Sequence, residues 1–397
     1  MKQNRPIRNF ARVGDGAVVP NLIRIQTESY ARFLQAEVPP TLRQPMGLEG
    51  LLRDAFPIQS YDGNMVLSYI SYELGKPAYT PDECRPLRLT YGMPFRIRLR
   101  LTRKDHDEIQ EDLIYLGELP IMIGGGEFIV NGAERVIVAQ LHRSPGVDFI
   151  KEQAEGDRAL HACRIIPERG SWIEINVSKK DLLAVRIDQS SKLPASMFIR
   201  AMSKDFSKDE DIIREFHKTK MVKVGSIKPE MYSVSTIVDP ESAEELVRAG
   251  CQIGDAVTRI QTSDLKEIEV IAKVTDPILL NTLAEDPSRS HEEAQLKIYT
   301  RLRPGNPPNA DKAKKLFDEK FFDENRYRLG KVGRFRLTRK LLECGPDNKM
   351  VLCVEDVISC IKYLLALRAG EQQAQVDDID HLGNRRLRTL DELAADE

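Results

Sequence analysis

The sequence predicts an α+β protein built from more than one mixed helix-and-sheet module. Strand-like alternation of apolar and polar residues recurs in the first half of the chain, and helices dominate from Ser203 onward. With 397 residues, the chain should hold two or more domains of ordinary size. Its 41% hydrophobic and 30% charged residues are typical of a protein with packed cores.

The N-terminal region is predicted to begin with helices and to continue with strands. Residues 1–20 are basic and interrupted by glycine and proline, which indicates a mobile arm. Apolar residues at helical spacing predict helices at 21–37 and 48–56, and proline follows each of them. A change to period-two alternation predicts strands at 65–72 and 95–101.

The strand at residues 95–101 has two different faces. Its apolar residues form the predicted buried face, and Arg96, Arg98 and Arg100 share the other face at a spacing of about 7 Å. Such a stripe can bind a phosphate backbone. It can also be a solvated face that pairs with the acidic residues of 108–112, which we expect to return as the next strand. We favour the solvated face.

A glycine-led hairpin, GGGEFIVNGAERVIVAQLHRSPGV, is predicted at residues 124–147. Its Asn-Gly pair is a turn signal between two strand-like runs, the second of which is predicted at 135–141. Polar groups that include Arg143 follow the second strand, just before a Ser-Pro-Gly turn. The pattern indicates a hairpin with a polar rim, in which the glycines shape turns and Val136 lies in the core. Only a partner elsewhere in the chain would favour a functional interpretation.

The character of the sequence changes near Asp148, where we place a domain boundary. Residues 173–177 alternate again, with their apolar side chains inward, and Trp172 lies on the polar side of this strand. Tryptophan is usually buried, so an exposed position suggests a surface that meets a partner or stacks on a base. Packing and stacking are equally compatible with the pattern.

Helix signals dominate the remaining chain. Ser242 and Ser290 begin capping-box patterns, Asn309 is a further N-cap candidate, and Gly370 is a stop signal. The helices predicted from these signals and from the spacing of apolar residues are 243–248, 291–302, 313–322 and 354–368.

The charged segment VDDIDHLGNRRLR occupies residues 376–388. Its aspartates and histidine could ligate a hard cation. The arginines that follow can instead neutralise these carboxylates, because a Gly-Asn turn would fold the acids back against them. We favour a charged elbow that reads polar groups on a ligand, since aspartate accepts hydrogen bonds from base amino groups and arginine donates to guanine.

Composition and motifs argue against several classes of protein. The net charge of −2 argues against nucleic-acid binding over the whole surface, although not against local patches. Six cysteines without CxxC pairs or metal-ligand spacing predict reduced, mostly buried thiols. Neither a membrane-spanning run nor a signal peptide is visible, which predicts a cytoplasmic protein. The chain has no P-loop, GxSxG, HExxH or GxGxxG motif, so its motifs do not describe a self-contained enzyme.

Five segments carry a family resemblance. In chain order they are NGAERVIVAQLHRSPGV, RIIPERGSW, TRLRPGNPP, RYRLGKVGRFRL and VDDIDHLGNRRLRT, and together they closely resemble the N-terminal part of the bacterial RNA polymerase beta subunit. FPIQSYDGN near Phe56 and DECR near Cys84 fit the same family. The resemblance extends over about residues 19–393, and five long segments in the right order are far more specific than any single motif.

The resemblance implies two mixed modules along the DNA channel of a polymerase. The first is a protrusion with an antiparallel sheet, whose first part would be residues 1–143, and the second is a helix-rich lobe at 144–375. Residues 376–397 would form an elbow that returns toward the protrusion. The protrusion would be incomplete in this chain, because the family's chain continues well beyond this point.

The resemblance also implies two sites. Arg143, Trp172, Asp380 and Arg385 match family positions that form a pocket for nontemplate-strand bases at the downstream edge of the transcription bubble. A second set matches positions that border the rifamycin pocket, whose main wall has no counterpart in this chain. This second set is Arg135, Val138 and Gln140. No catalytic or metal-binding residue is expected.

Such a chain would act within an assembly and would be inactive alone. The resemblance implies beta-prime, an alpha dimer, omega and sigma as partner subunits, with promoter DNA, downstream DNA and nascent RNA, and no membrane. The catalytic Mg²⁺ of the family belongs to beta-prime, so no cofactor is expected in this chain. A nucleoid-associated cytoplasmic location would follow. The alternative is a stand-alone module that binds single-stranded DNA or a polymerase partner.

Overall fold

The chain divides into two compact units. The computed structural model describes residues 21–103, 108–153, 159–239, 244–263, 265–341 and 343–397, so the arm predicted at 1–20 lies outside the described residues. The first unit consists of Met1–His142 and Leu387–Glu397, and the second unit consists of Arg143–Arg386. The assignment of these units as protrusion and lobe stays a prediction.

The first unit contains a four-stranded antiparallel sheet in which β1 to β4 pair in chain order. The strands predicted at 65–72 and 95–101 are confirmed within longer strands, and the helices predicted at 21–37 and 48–56 are confirmed, the first with shorter bounds and the second shifted by one residue. Its elements up to the hairpin are α1 (Arg24–Leu34), α2 (Gly47–Ala55), β1 (Ile58–Gln59), β2 (Met65–Leu74), α3 (Pro81–Leu87), β3 (Gly92–Arg103), β4 (Glu108–Pro120), β5 (Phe128–Val130) and β6 (Ala133–Arg135).

The arginine stripe of β3 is a solvated, paired face. Arg100 lies opposite Glu111 of β4 and their side chains form an ion pair of 2.6 Å. Arg98 pairs with Glu73 of β2 at 3.1 Å. Because both arginines are about half exposed and already paired, the solvated interpretation of this stripe is confirmed.

The turn of the hairpin has the predicted geometry. Asn131 and Gly132 both adopt positive φ, 51° and 79°, as the two central residues of a tight hairpin turn require. The second strand is shorter than predicted, because β6 ends at Arg135 opposite Phe128, the first residue of its partner strand. The strand predicted at 135–141 is therefore wrong at residues 136–139, and Gln140 and Leu141 belong to a separate strand.

Residues 136–139 lie outside any regular strand. The side-chain amide of Gln26 in α1 donates a hydrogen bond of 2.8 Å to the carbonyl oxygen of Ile137. Val136 is exposed rather than buried, so its predicted core position is wrong. Sheet structure resumes at β7 (Gln140–Arg143).

The second unit contains a five-stranded antiparallel sheet in which β8 to β12 pair in chain order. The alternation predicted for residues 173–177 is confirmed, since every second residue of that strand is buried and Trp172, just before it, is 42% exposed. The strands of this sheet are β8 (Gly146–Gln153), β9 (Ala159–Ile166), β10 (Ile173–Val177), β11 (Leu183–Ile187) and β12 (Leu193–Pro194).

Helices pack with this sheet around the larger of the apolar cores. Phe198, Phe317 and Phe321 contact one another there, and Ile361 is buried in the same cluster. The helices of the second unit are α4 (Ala195–Met202), α5 (Asp209–Phe216), α6 (Val257–Thr262), α7 (Ile278–Glu285), α8 (His291–Leu302), α9 (Ala310–Phe321), α10 (Gly330–Lys340) and α11 (Val354–Ala369), of which α6 packs in a separate, smaller apolar cluster.

Three of the predicted helix signals are confirmed. The Ser290 hydroxyl accepts from the Glu293 N–H, and the Asn309 side chain accepts from the Asp311 N–H at 2.9 Å. Gly370 ends α11 in the left-handed conformation at φ 73°. Glycine adopts this conformation without the steric cost that a Cβ imposes.

A small β-rich portion of the second unit has its own apolar cluster. Its strands are β13 (Thr219–Lys223), β14 (Ile237–Val238), β15 (Glu245–Val247) and β16 (Glu267–Ile271). The helix predicted at 243–248 is wrong from residue 244 onward, because Glu245–Val247 pairs as a strand with β14. Ser242 and Ala243 lie outside the described residues. So short a helix is marginal on its own propensity, and strand pairing prevails.

The end of the chain contributes to the first unit. β17 (Arg385–Arg388) is followed by α12 (Leu390–Asp396), which packs on α1 and α2. Leu390 is fully buried in the core of the first unit. Short 3-10 turns occur at Pro40–Leu42, Lys204–Phe206, Val224–Ser226, Gly254–Ala256 and Leu382–Asn384.

All six cysteines are free thiols, as predicted, and four of them are buried. Within the described residues, the helices are too short or too polar to cross a membrane.

Candidate nucleic-acid site

The candidate site lies in the second unit, where four of the resemblance-bearing segments meet at α10. The segments are those around residues 143–148, 168–172, 326–336 and 377–386. Each of them contacts α10, the residues that precede α10, or another of the four. Their contacts place the predicted site residues on a common scaffold.

Arg336 of α10 joins two of these segments. Its guanidinium donates to the carbonyl oxygens of Ser144 at 2.8 Å and Pro145 at 3.3 Å, and to Asp148 Oδ1 at 2.9 Å. It also donates to Asn384 Oδ1 at 3.2 Å. The planar, multi-donor fork of arginine suits such a cluster of oxygens better than the single ammonium of lysine does. One side chain therefore fixes the neighbours of Arg143 and of Arg385.

A main-chain contact reinforces this junction. The Ser144 N–H donates to the Asn384 carbonyl oxygen at 3.0 Å. The chain can approach α10 closely at this point because Gly146 has φ +135° and no Cβ, and an added Cβ would lie 2.9 Å from the Cβ of Arg336. A larger residue would push the Arg143 segment away from the helix.

Asp148 is the charge partner of Arg336 and is buried. Burial raises the pKa of Asp148 above its ordinary value, and the neighbouring Arg336 works against that rise. Arg143 is close enough to favour the charged form of Asp148 as well. The ion pair with Arg336 is therefore part of an electrostatic network that includes the predicted site residue Arg143.

The segment before Trp172 packs on the residues that lead into α10. Arg169 and Arg328 exchange main-chain hydrogen bonds, with the Arg328 N–H donating at 2.8 Å. An added Cβ at Gly170, whose φ is +118°, would lie 2.8 Å from the Tyr327 ring. Glu168 reaches Arg386 of the elbow at 3.7 Å, which links the Trp172 segment to the segment of Arg385.

Trp172 is held by its backbone hydrogen bonds, and the residue is partly exposed. Its N–H donates to Asp188 Oδ1 at 2.9 Å, and its carbonyl oxygen accepts from the Asp188 N–H at 2.8 Å. Lys320 donates to the other carboxylate oxygen of Asp188 at 3.2 Å. An exposed indole on a fixed backbone is suited to stacking.

The elbow is anchored at its first aspartate. Asp377 accepts from the Phe149 N–H at 2.8 Å, donates its own N–H to the Phe149 carbonyl oxygen, and forms an ion pair with Lys340. We expected the acids to fold back onto the arginines of the elbow, and for Asp377 this is wrong. A cation of α10 neutralises it instead.

Beyond Asp377 the elbow is shaped by local hydrogen bonds. Asp378 accepts from the Asp380 N–H at 3.0 Å through Oδ1 and from the Asn384 amide at 2.7 Å through its carbonyl oxygen. These bonds occupy Asp378 and Asn384 in the turn, whereas Asp380 is exposed and Arg385 is half-buried. In the described part of the chain, no group of His, Cys, Asp and Glu side chains is arranged to hold a metal ion.

The predicted residues thus fall into two groups. Arg143, Trp172, Asp380 and Arg385 all lie in the second unit, on segments that the contacts of Arg336, Glu168 and Asn384 join. The predicted rifamycin border lies in the first unit and is exposed throughout, with Val138 at 71% exposure. Its members are Arg135, Val138 and Gln140.

Sequence reasoning missed the residues that build the scaffold. Arg336, Lys340 and Glu168 lie in segments that carry the family resemblance or adjoin it, but no local pattern distinguishes them from solvated charges. The available signal was the glycine spacing of GKVGR, which indicates close backbone approach at this helix.

Known families match both units. The family described as "RNA polymerase Rpb2, domain 2" matches residues 143–245 and 265–388, and the family described as "RNA polymerase beta subunit" matches residues 21–124. These matches cover the candidate site and most of the first unit. They define the class of protein as a large RNA polymerase subunit of the Rpb2 type.

Individual relatives lead to the same family. Proteins named "DNA-directed RNA polymerase subunit beta" are 54% identical in Rhodopirellula baltica and 41% identical in Protochlamydia amoebophila, over 96% and 94% of this chain. The protein of that name from Methylacidiphilum infernorum is 39% identical over 98% of this chain. The chain belongs to the RNA polymerase beta subunit family. It spans 31% of the length of each of these three relatives.

Proposed function

We propose that this chain works as the N-terminal part of the beta subunit in a bacterial DNA-directed RNA polymerase and contributes a wall of the DNA channel. Family membership and the high identity to proteins of that name support the proposal. The other components would be beta-prime, which would hold the catalytic Mg²⁺, together with alpha, omega and sigma subunits, DNA and nascent RNA. In this role the chain positions nucleic acid and leaves catalysis to the assembly.

Within that role, we propose that the second unit binds an unpaired base of the nontemplate strand. Trp172 would stack on the base, and Asp380 would accept hydrogen bonds from its edge. Arg385 would donate to base-edge acceptors, and Arg143 would contact a base or a phosphate. The single observation that carries this proposal is the four-acceptor clamp of Arg336, which fixes the segments of Arg143 and Arg385 together.

An inhibitor site is a separate proposal for the first unit. Arg135, Val138 and Gln140 are exposed, as residues at the border of a rifamycin pocket would be. The alternative function, a stand-alone module that binds single-stranded DNA or a polymerase partner, has no specific contact in its favour. It would require tight binding by the isolated chain.

The base pocket can be tested with the only tryptophan of the chain. Homopolymeric single-stranded oligonucleotides are titrated into the 397-residue protein while Trp172 emission is recorded. A base that stacks on Trp172 will quench its emission. Asp380→Ala should then change affinity for some bases and not for others, by about 1–3 kcal/mol per base. We expect weak binding, since the net charge is only −2 and the chain has no uniformly basic surface.

Asp347→Ala is the matched control, because Asp347 is an exposed aspartate of the second unit outside the candidate site. It removes the same charge and should change the affinity for every homopolymer slightly and to the same extent. The pocket proposal is wrong if no oligonucleotide quenches Trp172, or if Asp380→Ala behaves like the control. Tight binding that survives both Trp172→Ala and Asp380→Ala, measured by the anisotropy of a labelled oligonucleotide, would instead favour the stand-alone module.

A further inference from the structure

The outer face of α10 is apolar and basic at the same time. It consists of Lys331, Val332, Phe335 and Arg339, all of which are exposed. Phe335 is 62% exposed, although phenylalanine is among the residues most often buried. An exposed aromatic ring between two cations requires a physical explanation.

The outer face adjoins the candidate site. Val332 and Arg339 are the neighbours of Arg336 at four residues before it and three residues after it, and such neighbours have Cβ atoms roughly 5–6 Å apart. Arg336 itself contacts Ser144 and Asn384. Ser144 directly follows Arg143 in the sequence, and Asn384 directly precedes Arg385. A ligand that leaves the candidate site along α10 therefore meets the outer face within about one helical turn.

The cations of α10 fall into two classes. Arg334, Arg336 and Lys340 form ion pairs with Asp356, Asp148 and Asp377. Lys331 and Arg339 form no ion pair with any residue that the structure describes. Their charges are available to an anionic ligand.

The spacing of these cations suits a polyanion. Lys331 and Arg339 are eight residues apart on one helix, which separates them by about 12 Å along its axis. Phe335 lies midway between them on the same face. Proteins that bind single strands without sequence preference combine such backbone-directed cations with aromatic rings on which bases stack.

We propose that the outer face of α10 binds the next stretch of the same single DNA strand, with Lys331 and Arg339 on phosphates and Phe335 against a base. This inference rests on the proposed function, because it extends the path of the strand held at Trp172. An acidic protein surface is the other ligand that the charge would accept. We favour the nucleic acid over the acidic protein, because the proposed base-binding residues Arg143 and Arg385 adjoin the contacts of Arg336.

The test measures affinity and its salt dependence together. A labelled thymidine oligonucleotide is titrated into the 397-residue protein between about 50 and 200 mM salt, with anisotropy and Trp172 emission recorded in parallel. Lys331→Gln with Arg339→Gln should reduce the slope of log affinity against log salt by about 1.4, or about 0.7 per phosphate. Phe335→Ala should weaken binding about fivefold to tenfold and leave the slope unchanged.

Lys312→Gln with Lys314→Gln is the control of equal charge. Both lysines are exposed on α9 of the same unit and form no ion pair within the described residues. Far-UV circular dichroism confirms that each variant is folded. If the α10 variants change the slope no more than this control does, the outer face does not bind DNA, and an acidic protein becomes its expected occupant.

The two proposals fail in different ways. Equal affinity and equal salt slope in the wild type and the α10 variants, with Trp172 still quenched, overturn the outer-face proposal and leave the base pocket standing. An anisotropy change that depends on Lys331 and Arg339, without quenching of Trp172, supports the outer face and overturns the base pocket.

Discussion

Arginines serve opposite purposes in the two units. In the first unit, Arg98 and Arg100 stand on a solvated sheet face, where Arg100 is 49% exposed and each residue pairs with one glutamate. In the second unit, Arg334 is only 2% exposed and donates to Asp356 and to two main-chain carbonyl oxygens. Arg336, on the same helix, contacts four oxygens.

The difference shows that burial decides how much an ion pair contributes to the stability of its unit. An exposed pair gains little, because water already solvates both partners. A buried guanidinium must have all its donors matched, and removing it leaves its partners desolvated. The paired arginines of α10 therefore hold the second unit together, whereas the stripe of β3 contributes mainly solubility.

Removing Arg334 should produce the largest effect. Arg334→Met leaves the fully buried Asp356 without its cation, and we expect the second unit to lose about 3–5 kcal/mol of unfolding free energy. Urea unfolding followed by Trp172 emission measures this loss, since Trp172 lies in the second unit. Adding Asp356→Leu should restore part of it. A loss below about 1 kcal/mol would mean that this buried pair contributes no more to stability than an exposed ion pair does.

Arg336 should give an intermediate effect. Arg336→Lys keeps a charge beside Asp148 but cannot match the oxygens of both Ser144 and Asn384, so we expect a loss of about 1–3 kcal/mol. The same urea experiment measures it, and oligonucleotide titration then reports whether Trp172 quenching weakens. If both the stability and the quenching of Trp172 are unchanged, Arg336 does not position the segments of the candidate site.

The smallest effect is expected at the solvated stripe. Arg100→Gln breaks an exposed pair with Glu111 and should change the unfolding free energy of the first unit by about 0–1 kcal/mol. This unfolding is the far-UV circular dichroism transition that leaves Trp172 emission unchanged, because the first unit has no tryptophan. Glu111→Gln serves as the paired control, and a loss comparable to that of Arg334→Met would break the contrast between the units.

The sequence predicted elements whose signals are local. The strand Ile173–Val177, the cap of α8 at Ser290 and the end of α11 at Gly370 depend on alternation, on a side-chain cap and on a left-handed glycine. It also predicted that Trp172 is exposed, because the same alternation decides which face each residue occupies.

Features that depend on distant residues were not predictable in the same way. Residues 136–139 alternate like a strand, but the partner strand begins only at Phe128 and offers them nothing to pair with. The segment RYRLGKVGRFRL contains several arginines, and only packing decides that Arg334 is buried while Arg326 is exposed. The clamp of Arg336 joins residues more than 180 positions apart in sequence, which no local pattern encodes.

The burial of Leu390 in the first unit has a consequence for synthesis on the ribosome. The core around Tyr30, Phe33 and Tyr72 includes Leu390 of α12, which follows the whole second unit in the chain. At translation rates of about 5–20 residues per second, residues up to His142 wait on the order of 10–50 s for α12 to be made. The second unit is contiguous, so it can fold before α12 joins the core of the first unit.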